Sequence, residues 1–178
     1  VCRMLPNGNV QIQVGSVDIS GINSGFVQIV AEVLSIDPSK VEIIQVDSHT
    51  GPVAPPSGGS QVSYSLAGAI SGATRNIKDQ LAKLATEHFE AAEQDLVFED
   101  GSVHVTGLPS KAISLAQLAK QAESRKGGAG PVIATSSNSI QENAPAVAVH
   151  AVKVEVDRET GKVSPKNYIA VQDVGFAI

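Results

Sequence analysis

The chain is organised around residues 47–68, DSHTGPVAPPSGGSQVSYSLAG, a run with almost no charge between an apolar strand-like segment and a long helical pattern. Its Gly and Ser residues let backbone N–H groups approach a bound molecule without interference from side chains. The run leads into a helix N-terminus, where unpaired N–H groups and the helix dipole favour an anionic group. It predicts either a phosphate or cofactor cradle or an ordinary surface loop, and composition alone does not separate the two.

The segment before this run predicts a hairpin and a helix. Residues 1–17 alternate between apolar and polar positions around the Pro6-Asn7-Gly8 turn, which is typical of a β-hairpin. Helix one is expected to begin near Asn23 or Ser24, both good N-caps, and to end at Asp37-Pro38. Its apolar stripe is Phe26, Ile29, Val30, Val33 and Leu34.

The elements that flank the central run directly are a strand and a second helix. Residues 41–46, VEIIQV, predict a short strand covered on both faces. Helix two is expected over 63–88, with small residues such as Gly68 and Gly72 in its first turns. Glycine lowers helix stability, so these positions predict close packing against either another helix or a cofactor. The predicted buried stripe is Leu66, Ile70, Ala73, Ile77, Leu81 and Leu84.

The second half of the chain predicts two hairpins and one helix. Residues 96–105 form a hairpin around Asp100-Gly101. Helix three begins at Ser114, whose capping box is completed by Gln117, and ends near Ala122. The remaining expectations are a flexible connector over 124–131, a polar loop over 136–145, and a long antiparallel hairpin of 147–156 with 163–171.

This order indicates an α+β fold, in which a two-layer β-β-α-β-α unit with a mixed sheet is followed by β-hairpins and a further helix. We predict two domains, residues 1–90 with the Gly/Ser-rich loop and residues 91–178, the second truncated at its C-terminal end. The start at Val1 and the apolar end predict a piece of a longer protein.

Composition excludes several classes of protein. A net charge of −5 with interspersed signs argues against nucleic-acid and polybasic membrane surfaces. No apolar run is long enough to span a bilayer. Cys2 alone gives no internal disulfide, predicts a half-buried strand residue, and fits a reducing, cytoplasmic location.

No catalytic or metal-binding constellation is evident in the sequence. The histidines, at positions 49, 88, 104 and 150, have no partners at metal-ligand spacing, so surface or strand roles are favoured. Gly58-Gly59-Ser60 lacks the lysine of a P-loop and the frame of a nucleophile elbow. Asp18 and Asp47 are the acids retained as site candidates, although a turn-stabilising role is the stronger interpretation for both.

Several segments, in their order and spacing, resemble the molybdopterin-binding part of the large subunit of molybdenum hydroxylases, the xanthine dehydrogenase, aldehyde oxidase and carbon monoxide dehydrogenase family. The matching residues are GNVQIQVGSVDISG (8–21), GFVQIVAEVL (25–34), VEIIQVDSHTGPVAPPSGGSQVSYSLAG (41–68), DLVFEDGSV (95–103) and VEVDRETGKVSPKNYIAVQDVGFAI (154–178). Almost the whole chain is covered.

The resemblance implies a molybdenum–molybdopterin cofactor in the parent protein, held mainly by hydrogen bonds to the pterin and its phosphate. The positions that it implies as cofactor contacts are Ser20, Gly21, Gly58, Gly59, Ser60, Gln61 and Ser63. Ser20 stands where the family often has a glutamine, and its spacing from Asp18 is one residue tighter.

The resemblance also implies what the parent does. It is an oligomeric oxidoreductase that hydroxylates an aldehyde, an N-heterocycle or a similar small substrate, with iron–sulfur and flavin subunits or domains as partners. The family's catalytic glutamate lies beyond this chain, so the fragment alone is expected to be inactive. Two alternatives stay open: a non-enzymatic scaffold of the same fold that has lost the cofactor, and a stand-alone anion- or nucleotide-binding module.

Overall fold

The structure, a computed structural model, describes residues 1–124, 129–140 and 145–175. The elements of the first half are β1 (Cys2–Met4), β2 (Val10–Val14), α1 (Ile22–Leu34), β3 (Val41–Gln45) and α2 (Val62–Phe89). Those of the second half are β4 (Leu96–Glu99), β5 (Ser102–Val105), β6 (Ile113–Ser114), α3 (Leu115–Ser124), β7 (Ile133–Ala134), β8 (Val147–Val156) and β9 (Val163–Asp173). The mixture of helices with separate sheets confirms the α+β class.

The first sheet has the strand order β3-β2-β1-β7 and is mixed, as predicted. β1 pairs with β2 and β7 in antiparallel fashion, whereas β2 and β3 run parallel. The turn between β1 and β2 is closed by the Asn7 side chain, which accepts the Asn9 N–H at 2.9 Å, and by Gly8 with φ 88°. The alternation of β2 buries Val10, Ile12 and Val14 on one face.

Helices α1 and α2 bury their predicted stripes. Phe26, Val30 and Leu34 of α1 are almost fully buried. In α2, Ile77 and Leu81 are inaccessible and Leu66 is half-buried against the same core.

Two local predictions about this first half were wrong. α1 is capped by Gly21, with a left-handed φ of 74°, and neither Asn23 nor Ser24 serves as the N-cap. The reason is that the Asp18 carboxylate already accepts the Asn23 N–H at 3.2 Å, which draws Asn23 into the first turn. β3 is half-buried and not covered on both faces, because it pairs only with β2 at the edge of its sheet.

The second sheet, of order β4-β5-β6, contains the predicted Asp100-Gly101 hairpin, whose two turn residues have φ of 46° and 71°. The capping box that begins α3 is also confirmed. Gln117 Oε1 accepts the Ser114 N–H at 3.1 Å, and the Gln117 N–H donates to Ser114 Oγ at 3.2 Å. The described part of α3 extends to Ser124, two residues beyond the prediction.

The chain forms two compact units, Val1–Ile140 and Gln141–Ile178. The described part of the second unit is the antiparallel hairpin of β8 and β9, as predicted, with a register shift between Lys153 and Val154. The proposed domain boundary after residue 90 stays a prediction. The flexible connector of 124–131 and the loop of 136–145 fall partly outside the described residues. None of the described helices is long and apolar enough to cross a membrane.

Candidate functional site

The connections that follow β2 and β3 carry the predicted site residues, and both leave the first sheet at the carboxyl end of these strands. β2 and β3 are parallel neighbours, so their carboxyl ends meet at the same edge, which is a common place for ligands in parallel sheets. The connections are tied together there. Gln45 Nε2 donates to the Ser16 carbonyl at 3.1 Å, and the Val46 N–H donates to the Val14 carbonyl at 3.1 Å. A side chain at Gly15 would collide with the Pro52 carbonyl.

The second connection begins with a turn organised by Asp47. Its Oδ1 accepts hydrogen bonds from the His49 N–H at 2.8 Å, the Thr50 N–H at 2.9 Å and the Thr50 hydroxyl at 3.0 Å. The two backbone hydrogen bonds lower the pKa of the Asp47 carboxyl below its ordinary value, and the hydrogen bond from the Thr50 hydroxyl lowers it further. Asp47 and Asp18 are therefore both occupied in local turns, which confirms the structural interpretation of these acids.

The Gly/Ser segment lies exposed immediately before α2. Gly59 and Ser60 both have left-handed backbone, with φ of 63° and 54°, and Gln61 is the N-cap of α2 without a side-chain cap. Within the described part of the chain, no atom outside the adjacent residues lies within 4 Å of a Cβ built on Gly58 or Gly59. The first N–H groups of a helix lack partners within the helix. This loop therefore presents uncovered backbone at the positive end of a helix of 28 residues.

A cavity of about 600 Å³ adjoins the start of α2. Gln61 and Ser65 line it from the helix, and residues 52–55 line it from the loop. Residues 136–140 form a further wall that the sequence analysis missed. Among the described residues that line the cavity, none has an Asp, Glu, Lys, Arg or His side chain.

The seven predicted site residues form two groups. Gly58, Gly59, Ser60, Gln61 and Ser63 are consecutive or nearly so around the α2 N-terminus, and Gln61 is the member that lines the cavity. Ser20 and Gly21 lie at the start of α1, with left-handed φ of 59° and 74°. All seven residues are exposed.

Titratable side chains do not gather into a metal site in the described part of the chain, where no group of three or more His, Cys, Asp or Glu could hold an ion. His104 is buried on β5, where its Nδ1 lies 3.0 Å from the Val105 carbonyl oxygen, and His150 Nδ1 lies 2.8 Å from the Tyr168 hydroxyl. Cys2 is fully buried on β1, and burial raises the pKa of its thiol. It is a core residue, more deeply buried than predicted.

The comparison with known families decides how this geometry is interpreted. The molybdopterin cofactor-binding domain model matches residues 1–178. This chain belongs to that family.

Relatives of the molybdopterin-binding chain include enzymes of known activity. The large subunit of nicotine 6-hydroxylase from Paenarthrobacter nicotinovorans is 28% identical over 177 residues, which cover 92% of this chain. The large chain of carbon monoxide dehydrogenase from Hydrogenophaga pseudoflava is 26% identical and aligns with 99% of this chain. The chain spans 22% of the length of each of these relatives.

Two solved structures superpose on almost the whole of this chain. Quinoline 2-oxidoreductase from Pseudomonas putida 86 superposes with a TM-score of 0.83 at 28% identity, over 98% of this chain and 23% of that one. Carbon monoxide dehydrogenase from Oligotropha carboxidovorans has a TM-score of 0.84 at 24% identity, over 98% of this chain and 22% of that one, and supports the fold.

The residues of the molybdopterin-binding chain fit the cofactor that defines the family. A bulky group with an attached phosphate needs open space and N–H donors, and both are present at Gly58, Gly59 and the start of α2. The lack of a metal-binding cluster among the described residues is compatible with a metal that is held by the pterin.

Proposed function

We propose that Gly58, Gly59, Ser60, Gln61 and Ser63 bind the pterin and phosphate of molybdopterin, and that Ser20 and Gly21 lie beside the metal centre. The observation that supports the first group is the exposed pair of left-handed residues directly before an uncapped helix of 28 residues. Backbone N–H groups at such a helix start favour anions. The family match supports a pterin phosphate as this anion.

In this proposal the chain positions the cofactor and takes no part in proton transfer. The bound group supplies redox and oxygen-transfer chemistry at molybdenum. The chain would donate backbone N–H hydrogen bonds, and Gln61 and Ser65 line the cavity beside them. Because the nearest acid in the same connection, Asp47, is held in its own turn, the chemistry needs a base from elsewhere in the full-length protein.

We further propose that the full-length protein is a cytoplasmic molybdenum hydroxylase that acts on an aldehyde, an N-heterocycle or a similar small molecule. Two relatives at 28% identity are named for nicotine and quinoline, which favours an N-heterocycle. Iron–sulfur and flavin subunits or domains would carry the electrons away. A further relative is named as subunit gamma of a dehydrogenase complex, which supports an assembly of several subunits.

A second candidate is a scaffold subunit of the same fold without cofactor. Ser20 favours it, because a short hydroxyl stands where a glutamine amide is expected. The two proposals differ in one property, the pterin content of the full-length protein.

The test is to measure molybdenum and pterin in the full-length protein with and without Ser60→Leu. Leucine adds bulk where the backbone is proposed to meet the cofactor, and it is strained at the left-handed φ of 54°. We expect the unsubstituted protein to contain both components and Ser60→Leu to lose them while remaining folded.

Two control variants separate bulk in the site from backbone strain. Glu90 caps the opposite end of α2 with φ 52°, so Glu90→Leu imposes the same strain far from the loop and should keep the cofactor. Ser60→Gly relieves the strain and should also keep it. Normal pterin content in Ser60→Leu would refute the proposed role of the loop. If the unsubstituted protein contained no pterin, the scaffold proposal would be favoured.

A further inference from the structure

Residues 132–140, here called the strap, run antiparallel along α2 towards its N-terminus. The contacts follow one another along the helix. Gln80 Nε2 donates to the Ile133 carbonyl at 2.9 Å, and Asn76 Nδ2 donates to the Thr135 carbonyl at 3.4 Å. Nearest to residues 58–61, here called the cofactor loop after its proposed role, Asn138 Nδ2 donates to the Ser65 carbonyl at 3.2 Å.

The glycines of α2 accommodate this strap. A Cβ on Gly72 would lie 2.5 Å from Ser136 Oγ, and a Cβ on Gly68 would lie 2.7 Å from Asn138 Nδ2. Both distances are well inside van der Waals contact. The close packing that the sequence predicted at these glycines is therefore made with a segment of the chain itself, and Gly68 is the position that lets the Asn138 amide reach the helix.

The Asn138 amide is joined to the cap of α2 through one residue. Ser65, whose carbonyl accepts the Asn138 N–H, donates both its backbone N–H, at 2.8 Å, and its hydroxyl, at 2.6 Å, to the Gln61 carbonyl. Gln61 follows directly on the left-handed pair Gly59 and Ser60. A shift of Asn138 is thereby transmitted to the backbone that precedes the helix.

The same strap also lines the cavity. Residues 136–140 belong to its wall, together with Gln61 and Ser65. The strap thus contacts the first turns of α2 on one side and bounds the space beside the cofactor loop on the other.

We propose that Asn138 is a positioning residue for molybdopterin, which fixes the N-terminal turns of α2 so that the loop before them holds the cofactor. The inference rests on the proposed function of that loop. It assigns no contact between Asn138 and the cofactor, because the residue acts through Ser65 and Gln61.

The experiment measures the rate at which pterin is released from the full-length protein on dilution at raised temperature. Asn138→Asp keeps the size of the side chain but replaces the donor with a carboxylate that faces the Ser65 carbonyl. Gly68→Ala displaces the amide without changing Asn138. We expect both variants to release pterin about two- to tenfold faster, the factor that one hydrogen bond typically contributes.

The matched control is Gln80→Ala, which removes a hydrogen bond of 2.9 Å at the far end of the same strap. It should release pterin at the unsubstituted rate, and Asn76→Ala serves in its place if that variant does not fold. Should Asn138 matter only for general stability, all of these variants would accelerate release in proportion to their loss of melting temperature. That result would overturn the inference.

The outcomes distinguish this inference from the proposal on which it rests. If Ser60→Leu loses pterin but Asn138→Asp releases pterin no faster than Gln80→Ala does, the proposed role of the cofactor loop is supported and the proposed role of Asn138 is refuted. If the unsubstituted protein contains no pterin, both the proposed role of the loop and that of Asn138 are refuted.

Discussion

Ser20 and Ser60, each two residues before a helix begins, share a backbone conformation that L-amino acids rarely adopt. Their φ angles are 59° and 54°, and a glycine with left-handed φ stands beside each of them, Gly21 and Gly59. A non-glycine residue in this region costs about 1–2 kcal/mol. Such residues persist where the surrounding structure fixes their backbone, so we expect the starts of α1 and α2 to be held firmly in place.

Asp47 supplies the prediction at the scale of a single residue. Its lowered pKa means that the unfolded chain binds a proton at a higher pH than the folded chain does. The stabilisation is therefore complete above the ordinary carboxyl pKa of about 3.9 and is lost as the pH falls through the lower folded value. We expect Asp47→Asn to lower the urea midpoint at about pH 6 and to change it much less at about pH 2.

The measurement is urea unfolding of both proteins over this pH range. Asparagine keeps the shape of the turn and one acceptor oxygen, so the difference reports the charge. A difference between the two midpoints that is equal at both pH values would show that the Asp47 charge does not stabilise the turn.

At the scale of an element, α2 combines a core stripe with a site at its start. Leu81 is completely buried in that stripe. We expect Leu81→Ala to lower the free energy of unfolding by about 2–5 kcal/mol, because it removes buried methyl groups and leaves a cavity. Lys83→Ala, on the exposed side of the same turn, should change it by less than about 0.5 kcal/mol. Equal effects in chemical denaturation would mean that the helix face is wrongly assigned.

The elements that the sequence predicted correctly are those with a local signal. The stripe of α2 recurs with helical spacing, the capping box of α3 spans four residues, and Asp100-Gly101 is a turn in itself. The cap of α1 and the exposure of β3 were missed for the opposite reason. The cap of α1 depends on the hydrogen bond that Asp18 accepts from the Asn23 N–H, and the exposure of β3 depends on its outermost position in the sheet. Neither feature is encoded within the element itself.

The strap shows the same limit more clearly. β7 has two residues, too few for any periodicity, and its partner in the sheet is β1, more than a hundred residues earlier. The polar composition of the strap predicted only a loop. The signal that was available lay in α2, where Gly68 and Gly72 required a close neighbour. Sequence reasoning could infer that a neighbour existed but not which segment supplied it.

At the scale of the whole molecule, the site separates into a part that sequence reasoning could reach and a part that it could not. The proposed cofactor loop is contiguous, so its composition and the order of its flanking elements were sufficient to propose it from the sequence. The cavity beside it is assembled from β2, the loop, α2 and the strap, and only folding brings these together. The assignment of the seven cofactor residues stays a prediction for the experiments on Ser60.

The second unit supplies a prediction about the full-length protein. Its hairpin exposes apolar side chains along both strands, with Val149 64% and Tyr168 63% accessible. A two-stranded hairpin is marginally stable on its own in water. Relatives extend to more than four times the length of this chain, which leaves ample polypeptide to cover such a surface.

We therefore expect the amides of β8 and β9 to exchange with deuterium faster than those of α2 in the chain of residues 1–178, and to become protected in the full-length protein. Hydrogen exchange read by mass spectrometry on both proteins makes the comparison, with peptides from α2 as the internal control. Protection of the hairpin already in the shorter chain would show that this chain stabilises it unaided. Rapid exchange in both proteins would show that no other part of the full-length protein covers it.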